Sequence, residues 1–235
     1  MVGFMLAVGG VFLVEALETC STIPQVEALL GQIDRQDGML LFAVEGRTGE
    51  FALFDCACSS HTRRVPEGDR SIRSGGWERK RLGGVELAGK TLGIVGLGRI
   101  GRLVAERAAA FGMSLLVFDP FVAEDATSLL GAERAAGLED LMARSDFVTL
   151  HVPLTAETRG LVGEEALRHA RPGLRLVNTA RGGVVDEAAL AAALREGRVA
   201  GAALDVFASE PPAGSPLLTL PQVVVTPHLG ASTAE

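Results

Sequence analysis

From about Gly83 onward, short runs of apolar and β-branched residues alternate with alanine-rich amphipathic stretches. The apolar runs are "TLGIVGL", "SLLVFD", "FVTLHVP", "RLVNTA", "GAALDVF" and "QVVVTPH". Between them lie "RIGRLVAERAAAFG", "LEDLMARS", "EEALRHA" and "DEAALAAALREGRV". A strand that is apolar throughout needs cover on both faces, and helices between successive parallel strands supply it. Six such strands predict an α/β domain with a doubly wound parallel sheet of the Rossmann type, spanning residues 66–235.

The first 65 residues lack this rhythm. "PQVEALLGQ" reads as a short helix, and "GMLLFAV" and "EFALFDCA" read as strands around the turn "EGRTG". The opening "MVGFMLAVGGVFLV" carries no charge over 14 residues. That falls short of the roughly 20 a membrane span needs, and no basic n-region precedes it. A buried helix or a strand pair fits it better. "RRVPEGDRSIRSGGWERKRLGG" is polar and rich in arginine, and predicts a helix followed by an exposed arm. At the other end, "TPHLGASTAE" places Ser232 and Glu235 in capping-box spacing, announcing a helix.

Composition narrows the classes. Charged residues make up 22% and hydrophobic ones 48%, a balance that argues against wholesale disorder. A net charge of −7 speaks against nucleic-acid binding, since phosphate backbones are held by basic surfaces. The three cysteines, Cys20, Cys56 and Cys58, form no disulfide framework and fit a reducing cytoplasm. Cys56, Cys58 and His61 in "CACSSH" fall short of the four regularly spaced ligands of a structural zinc site, so no metal is expected.

Candidate chemistry begins with "GLGRIG", which sets Gly96, Gly98 and Gly101 in G-x-G-x-x-G spacing. With 29 glycines in 235 residues, chance alone yields this spacing roughly 0.4 times in such a chain. Context gives it weight, because it follows a strand and opens a helix, as a dinucleotide loop must. Asp119 ends the next strand. There an acid can accept from the adenosine ribose hydroxyls and repel a 2′-phosphate, favouring NAD over NADP; a turn aspartate before Pro120 is the plainer alternative.

Polar residues recur at the carboxyl end of every strand: the glycine loop, Asp119, His151 with Pro153, Ala180 with Arg181, Asp205 with Glu210, and His228. Ligands of open parallel sheets bind beyond those ends. Hydride transfer from a secondary alcohol needs a base, and an imidazole titrates in the useful range. His228 suits that role, with Glu210 to support the ring and Arg181 to hold a carboxylate by its planar fork. Singly, each has a commoner fate as a cap, a loop acid or a surface cation. His151 could pack beside the cofactor, and His169 reads as a solvated helix residue.

The run from "GGWERKRLGGVELAGKTLGIVGLGRIG" to "TPHLGASTAE" resembles the NAD-dependent D-2-hydroxyacid dehydrogenases over about 160 residues. The resemblance implies an oxidoreductase moving a hydride between NAD and a D-2-hydroxy acid, with 3-phosphoglycerate the first candidate. It implies Arg181, Glu210 and His228 as catalytic residues. For the cofactor it implies Arg99, Ile100, Asp119, Thr179, Ala180, Arg181 and Asp205, which join the loop glycines Gly96, Gly98 and Gly101 and the candidates His151, Pro153, His228 and Gly230. It also implies a small 2-hydroxy or 2-oxo acid as the only partner besides a second copy of the chain. That homodimer would form through the NAD-binding domain and the arm around Trp77; nucleic acid and membrane are not expected. In that family the cofactor domain sits within a substrate lobe. Residues 1–65 lack that lobe's glycine-rich loop and are expected to be a remnant or replacement of it, and 66–235 to lack the return helix. An NAD-binding module without turnover is the alternative.

Overall fold

The computed structural model describes residues 64–123, 127 and 130–230, and three strands in the segment before them. Those strands are β1 (Gly3–Val8), β2 (Val11–Phe12) and β3 (Leu40–Val44), which pair antiparallel in the order β2-β1-β3. The opening is thus a strand pair, with Ala7 opposite Phe12. "GMLLFAV" does form a strand, and β1 is its neighbour. The helix expected at 24–32, the strand at 50–57, the Cys56–Cys58–His61 group and the Ser232–Glu235 box lie outside the described residues. Among the described residues, no helix is long and apolar enough to cross a membrane.

The polar stretch before the sheet folds as expected. Helix α1 (Val65–Arg73) has a proline in its first turn, where the missing N–H costs nothing. An arm follows on which Trp77 is 83% exposed.

A seven-stranded parallel sheet then dominates. It contains β4 (Thr91–Val95), β5 (Ser114–Phe118), β6 (Glu133–Arg134), β7 (Phe147–Leu150), β8 (Leu174–Asn178), β9 (Val199–Leu204) and β10 (Val223–Val225). Its order is β10-β9-β8-β7-β4-β5-β6. The chain runs outward from β4 to one edge, then restarts at β7 on the other side of β4. That reversal opens a crevice between β4 and β7, the place where this architecture binds ligands. Six strands were expected; the seventh, β6, is a two-residue exposed edge strand with no apolar run to announce it.

Side chains alternate across the sheet because successive residues of a strand face opposite ways. Val95, Leu116, Val148, Leu150, Leu176 and Leu204 form one core with helices α3 (Leu138–Arg144), α4 (Glu164–Arg168) and α5 (Glu187–Arg195). Leu92, Ile94, Leu115, Val117, Phe147 and Val177 form the other with helix α2 (Arg99–Ala110). Both faces are dry, so the strands hold their level, and the loops leaving them start from fixed points.

Candidate active site at the carboxyl edge of the sheet

Pairing register sets the strand ends level. Phe118, Val95, Leu150, Asn178, Leu204 and Val225 are partners in turn across the sheet. The residues one step beyond that line are Asp119, Gly96, His151, Thr179, Asp205 and Thr226. Backbone bonds continue the line outward: Gly96 N donates to Phe118 O at 2.9 Å, His151 N to Val95 O at 2.8 Å, Asp205 N to Asn178 O at 2.9 Å, and His228 N to Asp205 O at 2.9 Å.

Each glycine of the loop answers a different demand. Gly96 has φ +92°, and a Cβ there would meet His151 O and Val152 Cγ1, each at 2.7 Å. Only glycine turns the chain there and lets β4 and β7 part so closely. A Cβ on Gly101 would run into the carbonyl oxygen of Gly96, so this position seats α2 on its strand. Gly98 caps α2, no side chain caps it in return, and a Cβ there would have open space around it. The first-turn N–H groups at Arg99 and Ile100, with the helix dipole behind them, are suited to an anion.

Asp119 braces this loop. Its Oδ2 accepts from Leu97 N at 2.7 Å and its Oδ1 from Phe121 N at 2.9 Å. The turn role and the place at the second strand end thus coexist. His151, in the crevice, hydrogen-bonds Thr149 Oγ1 through Nε2 at 2.9 Å. Burial pushes its imidazole down to about 4, so it stays neutral near pH 7. Pro153 lies in an exposed loop, its carbonyl taken by the Thr158 hydroxyl at 2.6 Å.

At β8, the amide side chain of Asn178 is 1% exposed and splints the turn beyond it. Its Oδ1 accepts from Ala180 N at 3.1 Å, and its Nδ2 donates to Arg181 O at 3.1 Å. Arg181 is exposed and donates from Nη1 to Ala180 O at 2.6 Å. The Thr179 hydroxyl is 3% exposed and has no hydrogen-bond partner among the described residues. A buried orphan of this kind costs about 1–3 kcal/mol, which a polar ligand group at this edge would relieve.

Glu210 and His228 come together past β9 and β10. Glu210 Oε2 and His228 Nδ1 are 2.8 Å apart, and Glu210 Oε1 accepts from Phe207 N at 3.1 Å. The bond from His228, and then the one from Phe207, hold the Glu210 carboxyl below its ordinary range. An ionised carboxylate only accepts, so Nδ1 carries the proton and Nε2 is the basic nitrogen. His228 itself sits at φ +54°, a costly conformation for a residue with a Cβ. Asp205 holds it there. That carboxylate, 1% exposed, accepts from Thr226 Oγ1 at 2.6 Å, Leu229 N at 2.8 Å and Gly230 N at 3.0 Å. A cavity of about 370 Å³ adjoins the pair, with Phe207, Pro211, Leu218, Val225 and Pro227 in its wall.

The structure therefore gathers Gly96, Gly98, Gly101, Asp119, His151, Thr179, Arg181, Asp205, Glu210, His228 and Gly230 on one edge. Three further residues escape the sequence motifs: Asn178, Thr226 and Glu187, whose carboxylate is bound to the loop that carries Glu210. A polar side chain at the last position of an apolar strand was the available signal for Asn178. Thr226 and Glu187 had none, because their partners are remote in sequence.

Known proteins match the chain over the sheet domain. Residues 56–230 match the family model of the D-isomer specific 2-hydroxyacid dehydrogenase NAD binding domain. D-3-phosphoglycerate dehydrogenase of Mycobacterium tuberculosis is 55% identical over 174 residues, covering 74% of this chain and 33% of that protein. The Bacillus subtilis protein of that name is 51% identical over 177 residues, covering 75% and 34%. The solved D-mandelate dehydrogenase of Rhodotorula graminis superposes with a TM-score of 0.74 at 36% identity, covering 80% of this chain and 57% of that one. The chain spans about a third of the length of the curated relatives it matches. NAD fits the residues present: an open helix start with no side-chain cap for the pyrophosphate, an acid at the second strand end for the ribose, and an orphaned Thr179 hydroxyl further along.

Proposed function

This chain belongs to the D-isomer specific 2-hydroxyacid dehydrogenases through their NAD-binding domain, and on that premise we propose that it takes part in hydride transfer between NAD and a D-2-hydroxy acid. NAD, when bound, supplies the hydride acceptor. The chain's own residues hold the other participants. Arg181 pairs with the substrate carboxylate by its planar fork. His228 Nε2 takes the hydroxyl proton as the alcohol is oxidised, and returns it when a 2-oxo acid is reduced. Glu210 fixes the ring with Nδ1–H inward and stabilises the imidazolium that forms. The single observation that carries this reading is the 2.8 Å contact between Glu210 and His228 on the edge where the glycine loop opens.

The substrate proposed first is 3-phosphoglycerate, with 3-phosphohydroxypyruvate as its product. Support comes from the name that the curated relatives above share. Residues 66–235 act as the cofactor domain, and 1–65 stand where a substrate lobe would begin. Two copies would associate through the NAD-binding domain and the arm on which Trp77 is exposed, in the cytoplasm that the cysteine usage suits.

The test is NADH oxidation by the full chain, offered 3-phosphohydroxypyruvate and other 2-oxo acids. Turnover is expected, and His228→Gln should lower it by about 10²–10⁴-fold. Turnover that survives His228→Gln unchanged removes that residue from the reaction.

A further inference from the structure

The loop 205–215 hangs Glu210 between two fixed ends, and something must stop it from swinging away from His228. Its first end is the strand β9. Its far side is tied by a residue of another element, Glu187, in the first turn of α5. Glu187 Oε1 accepts from Ala208 N at 2.8 Å, and its Oε2 accepts from Ser215 Oγ at 2.5 Å. These two contacts fall on either side of Glu210, two residues before it and five after. Phe207 N, the adjacent amide, is taken by Glu210 itself. Consecutive amides of one loop are therefore claimed by two carboxylates, one facing His228 and one anchored on a helix.

The surroundings are built for this approach. The carbonyl of Phe207 lies so close to Gly182 that any Cβ there would collide with it. The loop thus presses against the turn that holds Arg181. Asp186 caps α5 by accepting from Ala188 N and Ala189 N, each at 3.0 Å, which fixes the helix start from which Glu187 projects. An acid in the first helical turn ordinarily serves the helix dipole. Here both its oxygens are spent on the loop instead.

We infer that Glu187 is a positioning residue, which with Ser215 clasps the Glu210 loop onto the Arg181 segment and so sets the His228 tautomer. The inference rests on the proposed Glu210–His228 pair. Glu187 touches neither substrate nor cofactor in this role; it acts by narrowing the positions Glu210 can take.

The experiment is nitrogen–proton correlation NMR on the imidazoles of the full chain, which has four histidines. His228 is assigned by its disappearance in His228→Gln. Wild-type protein is expected to show His228 as the Nδ1–H tautomer. Glu187→Ala should cut the Nδ1–H to Nε2–H ratio severalfold, with the His151 and His169 signals unmoved. Glu187→Gln keeps an acceptor for Ala208 N and meets Ser215 Oγ with an amide donor, the hydroxyl turning to accept, so it should restore most of the ratio. Ser215→Ala, which removes one contact only, should lie between. A wild-type ratio retained in both Glu187→Ala and Ser215→Ala overturns the clasp while leaving the pair intact. If Glu187→Ala does not fold, an unchanged ratio in Ser215→Ala overturns it alone. A wild-type His228 without the Nδ1–H form instead overturns the pair itself, and the clasp falls with it.

Discussion

Asp119 shows how one side chain can serve the frame and the ligand at once. One oxygen braces Leu97 N in the glycine loop, and the position at the second strand end suits a ribose. Two variants separate the roles. Asp119→Ala should weaken NAD binding, relax discrimination against NADP and cost about 1 kcal/mol of stability by freeing Leu97 N. Asp119→Asn keeps an acceptor for Leu97 N but turns a donor towards the exposed Phe121 N, so it should change cofactor preference at a smaller cost in stability than Asp119→Ala; calorimetric titration and urea unfolding of the two variants check this. His151 offers a second test, by pH. Its native imidazole protonates only near 4, against 6.5 for an ordinary one. Between those values the unfolded chain binds a proton that the native one refuses, so stability rises with pH across that window. The contribution is fully present above pH 6.5 and is lost as pH falls towards 4, at up to about 1.4 kcal/mol per pH unit. Urea unfolding at about pH 5 and about pH 7 should show this slope in wild type and a shallower one in His151→Gln. The sequence displayed Asp119 and His151 as residues at strand ends. It did not display that Asp205 would be occupied by Thr226, Leu229 and Gly230, because a side chain's partners depend on the turn beyond β10.

Between elements, the legible part was the alternation of dry strands and amphipathic helices, since burying both faces of a sheet leaves a strong imprint on residue choice. What left no imprint was β6. Glu133 and Arg134 pair with β5 through their backbones while both side chains stay exposed, so nothing apolar marks them. The clasp by Glu187 was illegible for a related reason, as an acid at a helix start has an adequate local explanation. The strand-to-helix turn at β4 and α2 gives a sharper test of element packing. Gly101→Ala forces a methyl group into the carbonyl of Gly96, and should cost stability on the order of 1–3 kcal/mol together with NAD binding. Gly98→Ala meets no atom within 4 Å beyond its own chain neighbours. It should leave the unfolding midpoint nearly unchanged yet weaken NAD roughly tenfold or more, because its methyl group would occupy the space the pyrophosphate needs. Thermal unfolding and calorimetry on the two variants distinguish the roles; equal losses of stability would contradict them.

Across the whole fold, the carboxyl edge of one parallel sheet is the proposed common origin of cofactor binding and proton transfer. Register places Asp119, Gly96, His151, Thr179 and Asp205 on one level, and the turn past β10 adds His228. The helix end carrying His169 precedes β8 and so belongs to the opposite, amino edge; there His169 faces Glu165 at 3.4 Å. The histidines are thus built-in reporters of the two edges. The most direct measurement is an NAD titration of the full chain followed by NMR at these imidazoles. The resonances of His228 and His151 should shift together, saturating at the NAD concentration that calorimetry gives for binding, while His169 stays still. NAD that binds and leaves His228 and His151 unmoved, or shifts His169 alone, would contradict a shared edge.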